Sequence, residues 1–229
     1  MGKDLYSLSA RLPPPLRWAG GKSKMAEEII EKMPDHKVYV EPFVGSGAVF
    51  FAKPIVGKNV INDVNKGLVK FYKELKSDVG CKKLRKCKSP DNIDQFHKMK
   101  DKKDESACAF LGVHRKSFGG SPIGGYTNYP ESKTDKLEEN CGAYRAKLAK
   151  TVILNKDYRD VFKEYDSKDT LTYMDPPYHK IGTMYGTDIP KAEDVCNLAR
   201  RAKGKVMISY NNHPEVRKAC SKGLKLGKI

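Results

Sequence analysis

Asp175, Pro176, Pro177 and Tyr178 stand together in the stretch TYMDPPYH, Thr172 to His179. Each proline fixes φ and removes a backbone donor, so the Asp175 and Pro176 carbonyls are expected on a rigid, non-helical path. Such a turn holds two acceptors, the Asp175 carboxylate and the Pro176 carbonyl, toward one point, with the Tyr178 ring as a flat wall beside them. That set suits a planar group bearing an NH₂. The acceptors take hydrogen bonds from the amine while the ring stacks on its face.

Three further motifs fall where strands or helices should end or begin. In EPFVGSGAVF, Glu41 to Phe50, Gly45 and Gly47 allow a sharp turn and a close backbone approach to a ligand. Phe50 occupies the place of the third fingerprint glycine, so the dinucleotide fingerprint is incomplete. Asp63, in INDVN, lies 18 positions beyond Gly45, close to the roughly 20 expected of an acid that binds ribose hydroxyls. A helix N-cap explains Asp63 equally simply. Together the glycine turn and the acid favour an adenosine-containing ligand. In WAGGK, residues Trp18, Ala19, Gly20, Gly21 and Lys22, backbone N–H groups and a cation are offered to a ligand carboxylate. The spacing is not that of a P-loop, and a plain helix-entry loop accounts for it as well.

The elements that must position these residues alternate. SKMAEEIIEKM, Ser23 to Met33, has helical apolar spacing, and KVYVEPFVGSG reads as a buried strand running into the glycine turn. A helix beginning at AVFFA should stop before Pro54. NVINDVN reads as a strand and KGLVKFYKELK as a helix; TVILNKDY, TLTYMDP and KVMISYNN read as strands, with a helix over Asp188 to Ala202. From Ser77 to about Asn140 the texture is charged and loop-prone, an insertion in an otherwise α/β chain with a mostly parallel sheet and helices on both faces.

At 229 residues the chain has room for one α/β domain plus an insertion, or for two small domains. Its 44 Lys and Arg against 28 Asp and Glu leave a net charge of +16, which points to a polyanionic partner, nucleic acid before membrane. No stretch approaches the roughly 18 unbroken apolar residues of a membrane span, and the first residues carry no apolar signal-peptide core. The six cysteines (Cys81, Cys87, Cys108, Cys141, Cys196, Cys220) form no C-x-x-C pair and read as reduced thiols of an intracellular protein. The five histidines are scattered, and no metal site is expected.

DPPY with an upstream FVGSG is the pairing of amino-group methyltransferases that use S-adenosylmethionine. The order WAGGK, glycine turn, insertion, DPPY resembles the Dam-type DNA adenine methyltransferases over most of the chain. INDVN, LNKDY and MISYNNHPEVR stand where that family has its ribose acid, its adenine-contacting segment and a late strand–helix unit. The resemblance implies a Rossmann-like methyltransferase sheet from residues 1–76 and 141–229, with residues 77–140 inserted for target recognition. It implies an S-adenosylmethionine site of Trp18, Ala19, Gly20, Gly21, Lys22, Glu41, Phe43, Gly45, Gly47, Asp63, Asp157, Tyr158 and Asp175. Trp18 and Lys22 would meet the methionine end, Asp63 the ribose, and Asp157 and Tyr158 the cofactor adenine. Asp175, Pro176, Pro177 and Tyr178 would then act on the 6-amino group of a flipped-out adenine, with no metal.

On the same resemblance, Lys82, Lys83, Lys86 and Lys88 would meet phosphates of double-stranded DNA, and Arg115, Lys116 and Tyr126 would belong to the recognition hairpin. HRKSFGGSPIGGY matches that hairpin in texture only and names no recognition sequence. The chain reaches GLKLGKI where relatives continue into a final strand pair, so a trimmed sheet or a short last strand is expected. The expectation is a monomer, with a transient dimer on a palindromic site, in the cytoplasm of a prokaryote or a virus-infected cell, free-standing or paired with a restriction enzyme. The alternatives are a cytosine N4 or RNA methyltransferase, an inactive nucleic-acid-binding module and, last, a nicotinamide-dependent oxidoreductase.

Overall fold

The architecture is that of a computed structural model, which describes residues 11–101, 106–121, 124–128, 137–178 and 189–227. Five strands carry the expected apolar runs: β1 (Val38–Glu41), β2 (Lys58–Asn62), β3 (Thr151–Leu154), β4 (Thr170–Met174) and β5 (Lys205–Ile208). They form one sheet in the order β3-β2-β1-β4-β5, every pairing parallel. β4 is buried along its whole length and β1 and β2 nearly so, whereas the edge strands are part exposed. The central strands keep polar residues even where buried: Glu41, Asn62, Thr170 and Thr172 are all 2% exposed or less.

Helices cover both faces. Alternate residues Tyr39, Ile61, Leu171 and Tyr173 point into one core with α1 (Ala26–Glu31), α2 (Ala48–Ala52) and α3 (Lys66–Lys76). Val40, Val60 and Met174 point to the other face, against α8 (Tyr158–Tyr165) and α9 (Ala192–Arg200). α2 ends at Lys53, extended at φ −81° and ψ 153°, because a residue before proline is driven out of the helical region. α3 is capped by Asn65, whose side chain accepts from the Leu68 N–H at 3.0 Å. The sheet winds from β1 outward through β2 to β3, then crosses back to place β4 on the other side of β1. The carboxyl ends of β1 and β4 therefore flank the topological switch point, where open α/β sheets bind ligands.

The segment after Ser77 departs from the loop-prone reading. Its described residues form α4 (Asp78–Arg85), α5 (Ile93–Asp101), α6 (Ala107–Lys116) and the start of α7 (Leu137–Ala149). Ser77 and Ser106 cap two of these, accepting from Gly80 N–H at 2.9 Å and Ala109 N–H at 3.1 Å. Lysine density hid narrow apolar stripes: Cys81 and Leu84 on α4, and Ala107 and Leu111 on α6, enter the same core as α3 and the sheet. A 3-10 turn at Phe118–Gly120, α8, α9 and α10 (Pro214–Cys220) complete the described helices.

The cysteines also differ from expectation. All six are paired, Cys81–Cys141, Cys87–Cys108 and Cys196–Cys220, with Cα separations of 6.0, 5.3 and 5.4 Å. Their spacing of 60, 21 and 24 residues carries no motif, because helix packing rather than sequence proximity brings each pair together.

Candidate active site

Ser209 N–H donates to the Met174 carbonyl at 2.9 Å, so the residues after β5 run beside the turn that leaves β4. That turn begins with Asp175. Lys22, 153 residues away in sequence, places its Nζ 2.6 Å from Asp175 Oδ2, and the two side chains are only 7% and 17% exposed. The same ammonium lies 4.6 Å from the centre of the Tyr178 ring and donates to the Gly20 carbonyl at 2.9 Å. Asp175 Oδ1, by contrast, is buried and has no hydrogen-bond partner. One carboxylate oxygen is thus held by a cation and the other is left as a bare acceptor.

Burial raises the Asp175 carboxyl to about 6, against the opposing effect of Lys22. Burial pulls the Lys22 ammonium down, but the Asp175 charge and hydrogen bond outweigh it and leave its pKa raised. At neutral pH the pair is ionised. Glu41, at the end of neighbouring β1, behaves differently. It is buried, accepts from the Tyr39 hydroxyl at 2.7 Å, and is raised to about 8 by burial and by the nearby Asp175 charge. It is therefore mainly neutral, and a second negative charge beside Asp175 is avoided.

The glycine turn, Asp63 and the Trp18–Lys22 loop converge on the end of β1. Gly45 (φ 47°) and Gly47 (φ 71°) both lie in the left-handed region, and a Cβ on Gly47 would meet Phe51 Cδ2 at 2.8 Å. The Gly45 carbonyl accepts from Tyr72 at 2.6 Å, and its N–H donates to Asp63 Oδ2 at 3.1 Å. Asp63 Oδ1 accepts from Asn65 N–H at 2.9 Å, and burial raises the acid to about 6. Asp63 thus braces the glycine turn, while the cap of α3 is Asn65.

The loop from Trp18 to Gly21, closed by a 3.0 Å hydrogen bond from Gly21 N–H to the Trp18 carbonyl, packs beside Ser46 of that turn. Phe43 and Tyr158 pack against each other at 5.0 Å between ring centres, tilted by 37°, an apolar pair beyond the strand ends. Asp157 caps α8 and holds Arg159 through two contacts of 2.8 Å, so its carboxylate is already engaged.

Sequence reasoning passed over residues that position this set. Asn62 is buried at the end of β2 and donates to the Pro42 and Lys156 carbonyls at 2.9 and 3.0 Å while accepting from Lys156 N–H at 2.8 Å. It fixes the two loops that carry Phe43 and Tyr158. Tyr210 lies 6.1 Å from Tyr178 and packs with Phe43 and Tyr158, and its buried hydroxyl, like Asn211 Oδ1, has no hydrogen-bond partner. The signal was present as SYNN directly after a strand, a position at the ligand end of the sheet.

In the inserted region, Ser117 and Tyr126 form an isolated antiparallel bridge that brings Arg115, Lys116 and Tyr126 to the base of one hairpin. Arg115 donates to the Cys87 carbonyl at 2.8 Å and Tyr126 to the Asp91 carbonyl at 2.9 Å, contacts that brace the hairpin. Phe118, which the composition did not single out, is 70% exposed at its turn. His179 and the residues to Asp188 lie outside the described residues.

Among the described residues, no cluster of His, Cys, Asp and Glu has the arrangement of a metal site, and no helix is long and apolar enough to cross a membrane. A family model described as D12 class N6 adenine-specific DNA methyltransferase matches residues 18–226. A DNA adenine methylase of Vibrio cholerae is 29% identical over 73% of this chain and 66% of its own length, so the chain spans just under two thirds of it. The type II methyltransferase M.MjaIII of Methanocaldococcus jannaschii is 30% identical over 72% of this chain and 68% of its own. The DNA N-6-adenine-methyltransferase of Escherichia phage P1 is 28% identical over 88% of this chain and 30% of its own length.

Proposed function

This chain belongs to the D12 class N6 adenine-specific DNA methyltransferase family, and we propose that it methylates the exocyclic N6 amine of adenine at specific sites in double-stranded DNA. The observation that carries the reading is the Asp175 carboxylate, with Oδ2 fixed by Lys22 and Oδ1 buried and unpartnered. An adenine amine is a poor nucleophile because its lone pair is delocalised into the ring. An N–H donated to Asp175 Oδ1, with a second to the Pro176 carbonyl, favours the pyramidal form in which the lone pair is available. Tyr178 stacks on the base, and Tyr210 closes the far side. A base inside a duplex cannot reach this turn, so the target is flipped out.

S-adenosylmethionine, the methyl donor of the family, supplies an electrophilic methyl group on a sulfonium. The chain's residues fit it. The glycine turn holds left-handed backbone at the end of β1, the Phe43–Tyr158 pair offers an apolar surface for an adenine ring, and Asp63 stands at the turn as the ribose acid. Trp18 to Lys22, Glu41 and Asp157 border the same strand ends. Lys22 joins the two halves of the site, since it belongs to the cofactor loop and holds Asp175.

Residues 77–140 form the target-recognition region. Arg115, Lys116 and Tyr126 build the hairpin, and the exposed Phe118 ring stacks where the base has left the duplex. Lys82, Lys83, Lys86 and Lys88 contribute to the +16 net charge that drives phosphate binding. The protein acts inside the cell as a monomer. The test is methyl transfer from radiolabelled S-adenosylmethionine to unmethylated genomic DNA and total RNA in parallel. Label in DNA N6-methyladenine, lost in Asp175→Ala, supports the reading; label in cytosine or RNA relocates the substrate, and no label in either sinks the enzymatic claim.

A further inference from the structure

The indole of Trp18 and the imidazole of His114 stack at 5.1 Å between ring centres with only 2° between their planes. His114 also meets Phe110 at 4.1 Å, one turn earlier on α6; Phe110 lies 6.3 Å from Trp18 and faces Phe71 of α3 at 6.4 Å. His114 is 2% exposed. Its Nδ1 lies 2.9 Å from the Phe110 carbonyl, which orients the ring, while Nε2 is buried without a partner. Burial lowers its pKa to about 4, so the ring is neutral and stacks as a plain aromatic plate.

Trp18 also presses on the glycine turn: a Cβ on Gly45 would lie 3.0 Å from its Cδ1. A second joint runs parallel to this one. Gly120, at the end of the recognition hairpin turn, lies so close to Arg17 that a Cβ there would meet its carbonyl carbon at 2.8 Å. The helix and hairpin that carry Arg115, Lys116 and Phe118 are thereby seated on the residues that open the cofactor loop.

We propose that His114 is a positioning residue that, by stacking on Trp18, couples target-DNA binding on the hairpin to cofactor binding at the WAGGK loop. The inference rests on the function proposed above. DNA bound at the hairpin holds α6 and, through the stack, fixes Trp18 in its binding geometry. Cofactor binding then loses less freedom, and by linkage each ligand tightens the other.

Trp18 is the chain's single tryptophan, so its fluorescence reports the stack directly. The experiment titrates S-adenosylhomocysteine, a non-reactive probe of the cofactor site, into wild type, His114→Ala, His114→Phe and His114→Gln, with and without sheared unmethylated DNA. DNA tightens the probe on wild type. His114→Ala shifts Trp18 emission to longer wavelength, weakens the probe about three- to tenfold, the worth of one stacked ring pair, and loses the DNA effect. His114→Phe keeps both, because it keeps the plate. If Ala does not fold, the Phe and Gln variants carry the same contrast of ring against polarity. A full DNA effect in His114→Ala or His114→Gln, or its loss in His114→Phe, overturns the proposal. No DNA effect on a wild type that methylates DNA overturns it too, and leaves the enzyme reading standing. A wild type that neither binds the probe nor methylates overturns both.

Discussion

Replacing Lys22 by methionine keeps the aliphatic stem and removes the charge, which isolates what the ammonium does to Asp175. The pair is 2.6 Å apart with side chains 7% and 17% exposed, so water screens it weakly. Two unit charges near 4 Å at an effective dielectric of ~20 interact by about 4 kcal/mol, and an opposite neighbour ordinarily depresses a carboxylate by ~1–3 units. With Lys22 present, burial still leaves Asp175 at about 6. Without it the carboxyl should titrate at ~7–9.

Only the ionised carboxylate offers both oxygens as acceptors. Wild-type methyl transfer is therefore expected to fall as pH drops through about 6, and Lys22→Met to lose rate already below ~7–9. Single-turnover transfer from tritiated S-adenosylmethionine, at saturating DNA across roughly pH 5 to 9, reads this limb. A Lys22→Met limb that stays where the wild-type limb lies refutes the electrostatic argument and confines Lys22 to cofactor binding. The stability sign follows from the same group. The folded state holds the Asp175 proton up to about 6 while the unfolded chain releases it near 3.8, so stability contributed by this site declines as pH rises through that window.

Further outcomes are expected elsewhere. Asn62→Leu leaves three backbone partners unpaired and should cost about 3 kcal/mol in urea unfolding, with weaker cofactor binding because the Phe43 and Tyr158 loops loosen. Gly47→Ala forces a left-handed residue against Phe51; a thermal melt should show a loss of at least ~1–2 kcal/mol. Phe118→Ala should reduce apparent DNA affinity by the ~1–3 kcal/mol of one base–aromatic stack, with an unchanged salt slope in a filter-binding assay. Breaking Cys81–Cys141 opens a cross-link spanning 60 residues, and the chain-entropy argument gives about 4 kcal/mol as an upper figure. Melting curves with and without reductant, beside mass spectrometry of non-reduced peptides, test that pairing.

The DPPY turn and the sheet were legible because their causes are local. Proline geometry acts on the residue itself and its neighbour, so DPPY announces a rigid exit whatever surrounds it. Buried central strands favour β-branched and aromatic residues, and VYVE, NVIN and TLTYM supply them. The glycine turn was legible for the same reason, since two left-handed positions need residues that tolerate them. The helices after Ser77 were not, because lysines on their exposed faces swamped apolar stripes only a few residues deep.

What only the tertiary structure decided is everything that depends on distance in space rather than along the chain. Lys22 meets Asp175 across 153 residues, and nothing near either one fixes that partner. The cysteines find one another through helix packing, Asp63 turns to brace Gly45, and His114 finds Trp18 because α6 lies beside the Trp18–Gly21 loop. By itself the sequence determined the groups available for chemistry and the stiffness of the segments carrying them, since both are properties of neighbouring residues. Which groups meet, and therefore which oxygen of Asp175 is held and which is left bare, was settled by the parallel crossover that sets β4 against β1.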